Sequence, residues 1–410
     1  MSRTSLTRKA GFTRVAALAA LGTALTGLTA CGSASVGTGG SSSSAAAPVA
    51  SSAPASSAAA ASTSAAPAAD PVVDAAKKFV AASLAATEGF TPPSTGAKAQ
   101  KPGATIAFVA ADLTNGGINA VSKGVQEAAT KIGWKVNVLD GKASAQGRTD
   151  ALNQALATKP AGIVLGGFDA KEQATVIKQA AALKIPVVGW HAGATPGPDA
   201  ANGLFTNVTT DPLEVSRMAA DFAIADSNGT AGVAIFTDSQ YEIAVKKADA
   251  IKAEVQKCSG CSVLEYQDSP IAEADSRMPA LIASLLQKDG DKLTYLLAIN
   301  GNYFGGARAA LKDAGKPAAG PPKSVAAGDG DAAEFQRVRG EDYQAATVAE
   351  PLYLQGWQLV DELNRALAGQ PASGFLAKPG LVTKANAPTG DVFDPASGYR
   401  DIYAKIWSGS

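Results

Sequence analysis

Histidine, cysteine and methionine are scarce in this chain, and their scarcity excludes several kinds of site. The 410 residues include one histidine, three cysteines and three methionines. A single histidine rules out the H-E-x-x-H zinc motif. The sequence also has no G-x-S-x-G nucleophile elbow, no Walker A loop and no G-x-G-x-x-G dinucleotide loop. We therefore predict no catalytic residue, no metal site and no cofactor, and we expect that the chain is not an enzyme.

An excess of either charge is also lacking. Lysine and arginine together number 36, as do aspartate and glutamate, so the formal net charge is zero. Proteins that bind nucleic acid carry a basic surplus, and none is present here. We therefore expect no nucleic-acid partner, and a composition that is 46% hydrophobic and 18% charged is typical of a globular protein with more than one domain.

Long apolar runs are rare, and the clearest one lies at the N terminus. A basic segment precedes Val15–Leu28, which is apolar apart from glycine and threonine. About 14 residues are too few to span a membrane but suit the core of a signal peptide. The following "LTAC", which ends at Cys31, resembles the bacterial lipobox and implies cleavage before Cys31 and its lipidation. The alternative is a chance cysteine in an ordinary secretory signal.

The segment that follows cannot form a core. Residues 32–70 are almost entirely serine, alanine, glycine, proline and threonine, and such compositions stay disordered. We therefore divide the N-terminal part of the chain into three regions. These are a signal peptide over 1–30, a tether over 31–70, and a helix with a loop over 71–100.

The two remaining cysteines form a C-x-x-C motif in "KCSGCS". Cys258 and Cys261 could be a redox site, half of a zinc site or a small disulfide loop. Zinc requires four ligands, which this chain does not offer near the motif. A redox motif normally opens a helix after a strand, whereas this one closes a helix. An extracytoplasmic compartment favours the structural disulfide.

From Thr105 to Asn386, short apolar runs alternate with helical patterns. The apolar runs are continuous, as in parallel strands that are covered on both faces. Strands that alternate with helices predict βαβ units, and about ten strands are too many for one ordinary sheet. The sequence therefore predicts an α/β protein with two doubly wound parallel-sheet lobes.

Polar and aromatic side chains follow most of the predicted strands. In open α/β sheets, ligands bind beyond the carboxyl ends of the strands, so these residues are candidates for ligand contact. They are Asp112, Asn115, Asp169, Trp190, His191, Tyr241, Asn300, Tyr303, Asp329 and Glu350. Carboxylates and amides bind paired hydroxyls, and a tryptophan face covers a sugar ring.

Each of these residues also has an ordinary structural interpretation. An aspartate or asparagine after a strand often only caps a helix, and Asp169 fits that role best. Trp190 could be packing between lobes. His191 has no serine, cysteine or carboxylate motif beside it, which argues against catalysis.

Several stretches resemble the type I periplasmic binding proteins, specifically the ribose-binding-like group that serves ABC sugar importers. "TIAFVAADLTNGGINAVSKGVQEAATKIGWKVNVLD" is similar to the family's first βαβ unit, and "YLLAINGNYFGGARAALKDAG" to the core of its second lobe. The resemblance covers Lys101 to Asn386 and implies two lobes joined by a three-strand hinge. The implied lobes are 101–208 with 350–375 and 209–349 with 376–410. The implied crossings are Val208–Asp211, Ala349–Glu350 and a point within Ala372–Pro379.

The resemblance also carries the family's pocket onto numbered positions. Its two pocket asparagines match Asn115 and Asn300, and its aspartate matches Asp329. Its hinge glutamine is Glu350 here, and its second-lobe arginine is Lys247, which loses the bidentate guanidinium.

Two further positions depart from the family pattern. The aromatic pair after the first asparagine is Gly117 and Ile118 here, and the family's Asp-Arg after the fourth strand is Trp190 and His191. The pocket is therefore expected in the same place with altered contents.

The resemblance implies a function with named partners. We expect a monomeric lipoprotein at the cell membrane that binds a small polar solute, a carbohydrate by family likeness, and delivers it to an ABC permease. One alternative is a receptor of the same fold that presents its ligand to a sensor kinase or quorum system. Another is a surface hydrolase, which the absence of catalytic motifs disfavours.

Overall fold

The computed structural model describes residues 70–409, so the signal-like segment, most of the tether and Cys31 lie outside the described residues. None of the helices in the described part is both long and apolar enough to cross a bilayer. The described chain forms two lobes, each built on a six-stranded sheet with helices packed against it.

The first lobe contains the N-terminal half of the strands. Its strands are β1 (Thr105–Ala110), β2 (Lys135–Asp140), β3 (Ile163–Gly166), β4 (Val187–Trp190), β5 (Gly197–Asp199) and β6 (Leu204–Val208). Their order in the sheet is β2-β1-β3-β4-β6-β5. Its helices are α2 (Gly116–Ile132), α3 (Ala145–Ala157), α4 (Ala174–Ala182), α10 (Leu352–Leu367) and α11 (Tyr399–Ser408).

The second lobe repeats the plan. Its strands are β7 (Gly232–Thr237), β8 (Ser262–Asp268), β9 (Tyr295–Ala298), β10 (Lys323–Ala326), β11 (Gln344–Ala349) and β12 (Gly380–Thr383). Their order is β12-β11-β10-β9-β7-β8. Its helices are α1 (Pro71–Ala85), α5 (Pro212–Asp226), α6 (Glu242–Val255), α7 (Ala274–Asp289), α8 (Tyr303–Asp313) and α9 (Ala332–Gly340).

The alternation of strands and helices predicted from the sequence is confirmed, with changes at the edges of both sheets. β5 is a short strand that the sequence did not predict, and it runs antiparallel to β6. β12 runs antiparallel to β11, whereas parallel strands were expected throughout. The inner strands β1, β3, β4, β7, β9 and β10 are parallel to their neighbours and buried, as their continuous apolar sequences require.

The chain crosses between the lobes at the three implied places, and it passes between them twice more. The three crossings join β6 to α5, β11 to α10 and α10 to β12. The fourth passage leads from α1, which packs on α5 and β12 of the second lobe, to β1 of the first. The fifth leads from β12 back to α11.

Helix α11 corrects the division that placed all of 376–410 in the second lobe. Its side chains Tyr399, Tyr403 and Trp407 are buried in the core of the first lobe. The Trp407 ring stacks on that of Trp357 in α10, with centroids 5.4 Å apart and an interplanar angle of 7°. Burial of several aromatic rings is strongly favourable, which explains why the end of the chain returns to the first lobe.

Candidate functional site

The carboxyl ends of the two sheets face each other and enclose a cavity of about 60 Å³. Residues from both lobes line it, and isoleucines and alanines contribute to its apolar wall. Eight of the side chains predicted from the sequence lie on this wall. They are Asp112, Asn115, Trp190, His191, Tyr241, Lys247, Asn300 and Asp329.

Trp190 and His191 form one side of the cavity, at the end of β4. Their rings stack with centroids 3.9 Å apart and an interplanar angle of 13°. The indole Nε1–H of Trp190 donates to Gln355 Oε1 at 2.8 Å, and the residue is 1% exposed. His191 has a φ of 49°, a conformation uncommon for a residue with a side chain. Both rings are therefore held in place before any ligand arrives.

Glu350 lies behind Trp190 and His191, on the side away from the cavity, and connects them to the crossings between the lobes. Its Oε2 is 3.1 Å from His191 Nε2 and accepts from Gln355 Nε2 at 3.0 Å. The same oxygen accepts from the backbone N–H of Thr210, in another crossing, at 3.4 Å. Its Oε1 accepts from Lys247 Nζ at 3.3 Å. The carboxylate is completely buried yet surrounded by donors, and so it holds together both lobes and two crossings.

The charges in this cluster follow from its surroundings. Burial alone would raise the pKa of Glu350, but His191, Lys247 and the hydrogen bonds hold that pKa well below its ordinary value. Burial lowers the pKa of His191 despite the neighbouring carboxylate. We assign a neutral imidazole that donates through Nε2–H to an ionised Glu350, with the Lys247 ammonium as counter-charge.

Asp329 follows β10 and is the one carboxylate of the cavity wall that lacks donors. Only 6% of the residue is exposed, and no group among residues 70–409 donates a hydrogen bond to its side chain. Burial raises its pKa to about 8, against the opposing influence of Lys247. Its backbone also has a positive φ, of 67°. A buried carboxylate without donors is costly unless a ligand supplies them.

Three of the wall residues also have local structural roles. Asn115 Oδ1 caps α2 by accepting from Ile118 N at 3.1 Å. Asp112 Oδ1 accepts from Thr114 N at 2.9 Å. Asn300 Oδ1 accepts from the N–H of the residue two positions on, at 3.2 Å. Each thus uses an oxygen locally, and the two asparagines keep their amide N–H₂ groups available to the cavity.

Tyr303 and Asp169 were predicted to contact ligand, but neither lies on the cavity wall. Tyr303 begins α8, and its ring is buried in the core of the second lobe, where its hydroxyl donates to Ser269 O at 2.8 Å. Asp169 lies beside the cavity, and its Oδ2 accepts from Glu242 N at 2.9 Å. Glu350 is likewise outside the wall, because His191 and Lys247 stand between it and the cavity.

His191, Asp329 and Glu350 could supply ligands to a metal ion, since one ligand atom of each lies within 4.8 Å of the others. Lys247, however, already places its ammonium 3.3 Å from Glu350. A divalent ion would bind next to that positive charge or have to displace it, which is unfavourable. The chemistry of the cluster therefore fits an internal ion pair better than a metal centre.

Sequence reasoning missed Arg148, which supports the cavity from behind. It is 2% exposed in α3, and its Nε and Nη2 donate to the two carboxylate oxygens of Glu172 at 3.0 and 2.8 Å. Its guanidinium carbon lies 5.9 Å from the ring centroids of both Phe168 and Tyr241. No motif marks this arginine, because a basic residue in a helical pattern is normally exposed.

The two cysteines of the C-x-x-C motif form a disulfide in the structure, which joins Cys258 to Cys261. The loop lies between α6 and β8, away from the cavity. Cys258 packs against Val73 of α1 and so helps to hold that helix on the second lobe.

Comparison with known proteins supports this architecture. A sequence model described as the periplasmic binding protein domain matches residues 106–371. No curated protein matches the chain significantly. One similar solved structure is an ABC transporter solute-binding protein from Agrobacterium vitis bound with α-D-tagatopyranose. It is 18% identical, with 70% of this chain and 96% of that chain covered and a TM-score of 0.61.

Two further structures show the same likeness. The arabinose-transporter binding protein from Shewanella sp. ANA-3 is 20% identical, covering 69% of this chain and 93% of its own, with a TM-score of 0.60. A glucose-galactose binding protein from Geobacillus stearothermophilus is 19% identical, covering 70% and 100%, with a TM-score of 0.62. At these identities the likeness establishes the fold, and the predicted two-lobed α/β architecture is confirmed.

Proposed function

This chain belongs to the periplasmic binding protein domain family, and we propose that it captures a small polar, sugar-like solute between its lobes for an ABC importer. The family consists of extracytoplasmic binding proteins, so the chain is a binding protein and not an enzyme. The observation that carries the proposal is the unpaired carboxylate of Asp329 on the wall of an interlobe cavity.

The cavity wall offers complementary hydrogen-bonding groups on both lobes. Asp329 supplies acceptors, while Asn115, Asn300 and Lys247 have N–H groups available as donors. A sugar presents adjacent hydroxyls that both donate and accept, so it can satisfy these groups together. The sugar ligands named for the structural neighbours support the same chemical class.

Binding would be coupled to closure of the lobes. The cavity of about 60 Å³ is smaller than the typical ligand pocket of roughly 300–1,000 Å³. A sugar would therefore enter an opened cleft, and the lobes would close on it to the extent that its size allows. A ligand that contacts both lobes favours the closed arrangement by its differential affinity for that state.

Isothermal titration calorimetry with a panel of pentoses, hexoses and polyols tests this function. We expect at least one sugar to bind with a dissociation constant near 1 µM, about −8 kcal/mol. Asn300→Ala should weaken that binding, because the amide donor on the second-lobe wall is lost. Absence of heat with every sugar and polyol would contradict the proposal.

We also propose that a lipid on Cys31 holds the protein at the outer face of the cell membrane. The "LTAC" motif after the apolar run supports this, and one or more acyl chains would bury CH₂ groups in the bilayer. Cys31→Ser should release the protein from the membrane fraction while the folded body still binds its solute. Unchanged membrane association would contradict the anchor alone.

A further inference from the structure

Helix α6 in the second lobe takes its N-terminal cap from the first lobe. Tyr241 occupies the N-cap position of α6 but makes no capping hydrogen bond with its own side chain. Instead, Oδ2 of Asp169 accepts from the backbone N–H of Glu242 at 2.9 Å. Asp169 follows β3 of the first lobe, so this helix cap spans the cleft.

Asp169 has no comparable role in its own lobe. It stands at the N-cap position of the short 3₁₀ turn Ala170–Gln173, yet its side chain makes no capping bond there. It is 6% exposed, and its second oxygen, Oδ1, is buried without a hydrogen-bond partner in the described part of the chain. The hydrogen bond across the cleft is therefore the one that this carboxylate makes.

A reciprocal contact runs in the opposite direction. Helix α2 of the first lobe begins with Gly116 and Gly117, and second-lobe carboxylates fill the space beside them. A Cβ at Gly116 would lie 1.9 Å from Asp331 Oδ2, and one at Gly117 would lie 2.7 Å from Asp329 Oδ2. Because a helix N terminus carries partial positive charge, each lobe places carboxylates where the other lobe attracts them.

These contacts exist only while the lobes are together. Separation would expose the Glu242 N–H and the Asp169 carboxylate to water and abolish the cap. The exposed ion pair Lys171–Glu242, at 3.2 Å, spans the same gap, but exposed pairs contribute little. The partly buried cap is thus the stronger of these two contacts.

We propose that Asp169 is a closure latch: by capping α6 across the cleft it stabilises the closed protein, and so it raises ligand affinity without touching the ligand. The effect on affinity rests on the proposed function, whereas the effect on closure does not. Loss of a helix cap would shift the open–closed equilibrium, and hence the dissociation constant, by about fivefold.

Hydrogen–deuterium exchange of the full chain, followed by mass spectrometry, tests the latch without any ligand. Asp169→Ala should speed exchange in the first turn of α6, and Asp169→Asn, which keeps an acceptor oxygen, should restore part of the protection. Small-angle scattering should show a larger radius of gyration for Asp169→Ala than for the wild type.

Asp70→Ala is the matched control. Asp70 Oδ1 caps α1 by accepting from Val72 N at 2.9 Å, within one lobe. Its loss should speed exchange in α1 and leave both α6 and the radius of gyration unchanged.

The affinity measurement then separates the latch from a ligand contact. With the sugar identified by calorimetry, Asp169→Ala should weaken binding about fivefold, mainly through faster dissociation. Unchanged exchange in α6 together with an unchanged radius of gyration would overturn the latch, whatever happens to affinity. Opening of the lobes in a protein that binds no sugar would support the latch and contradict the proposed function instead.

Discussion

The two walls of the cleft differ in how far their polar groups are already satisfied. On the first lobe, Trp190 donates to Gln355 and His191 contacts Glu350, so the polar groups of these two side chains are satisfied without a ligand, and Asn115 keeps its amide N–H₂ group available. On the second lobe, Asp329 has no donor from the described protein and carries a raised pKa. The comparison indicates that the Trp190–His191 side of the first-lobe wall provides shape, whereas the second-lobe wall provides the acceptor that a ligand must satisfy.

The largest expected effect is on stability and comes from Glu350, whose buried carboxylate contacts His191 and Lys247 behind the first-lobe wall. Glu350→Gln keeps the shape of the side chain and its contacts with His191 and Gln355, but leaves Lys247 buried without a counter-charge. Breaking a buried ion pair from one side costs about 3 kcal/mol or more. We expect the free energy of unfolding, measured by chemical denaturation, to fall by that amount.

The double variant Lys247→Met with Glu350→Gln is the control for this prediction. It removes both charges together, so much of the lost stability should return. A double variant as unstable as Glu350→Gln alone would mean that the carboxylate acts through its hydrogen bonds and not as the partner of Lys247.

The next effect concerns the second-lobe wall and falls on affinity. Asp329→Asn replaces a charged acceptor by a neutral amide with a nearly identical shape. Because hydrogen bonds to charged groups contribute about 1.5–3 kcal/mol each, loss of the charge should weaken sugar binding about 100-fold in calorimetry. The free energy of unfolding should rise or stay the same, since an unpaired buried carboxylate destabilises the fold.

This pairing of weaker binding with unimpaired stability distinguishes a recognition group from a packing group. If Asp329→Asn lowers the stability and leaves affinity intact, the second-lobe wall is structural and the comparison between the walls is reversed.

A smaller effect follows from the raised pKa of Asp329, about 8 in the ligand-free protein. Below that pH the carboxyl is mostly protonated, and an ionised carboxylate accepts sugar hydroxyls better. Affinity should therefore rise about fivefold between pH 7 and pH 8 and level off above, with proton release on binding. Calorimetry in buffers of different ionisation enthalpy measures both quantities.

A rise in pH, which increases affinity through Asp329, decreases the contribution of the same group to the stability of the fold. The folded state retains a proton that the unfolded chain loses near pH 4, so the contribution of Asp329 to stability declines as pH rises towards 8. Asp329→Asn should flatten both the binding and the stability profiles. Profiles that persist in this variant would assign the titration to another group.

Much of this architecture could be predicted from the sequence, because buried parallel strands have continuous apolar sequences. The rule that ligands bind beyond strand ends also selected Trp190, Asn300 and Asp329, which line one cavity in the structure. Helix α11 was not predicted, because its place depends on stacking against Trp357, which is distant in sequence. The burial of the Tyr303 ring was not predicted, because it depends on which face of α8 packs on the second-lobe core. The contact of Asp169 with Glu242 was not predicted, because it depends on how the two lobes pack together.

The smallest expected effect on affinity tests whether the Trp190–His191 side of the first-lobe wall is already satisfied without a ligand. Trp190→Phe keeps an aromatic ring but removes the Nε1–H that donates to Gln355. The free energy of unfolding should fall by about 1–2 kcal/mol, since Gln355 loses a buried partner. Sugar affinity should change less than about threefold if the Trp190–His191 side provides shape only.

Trp357→Phe is a matched control, because the Nε1 of Trp357 is also buried but has no hydrogen-bond partner among the described residues. Its substitution should lose ring contacts with Trp407 without breaking a hydrogen bond, and leave affinity unchanged. A large loss of affinity in Trp190→Phe with full stability would show that the indole N–H serves the ligand. The Trp190–His191 side of the wall would then take part in recognition as directly as Asp329.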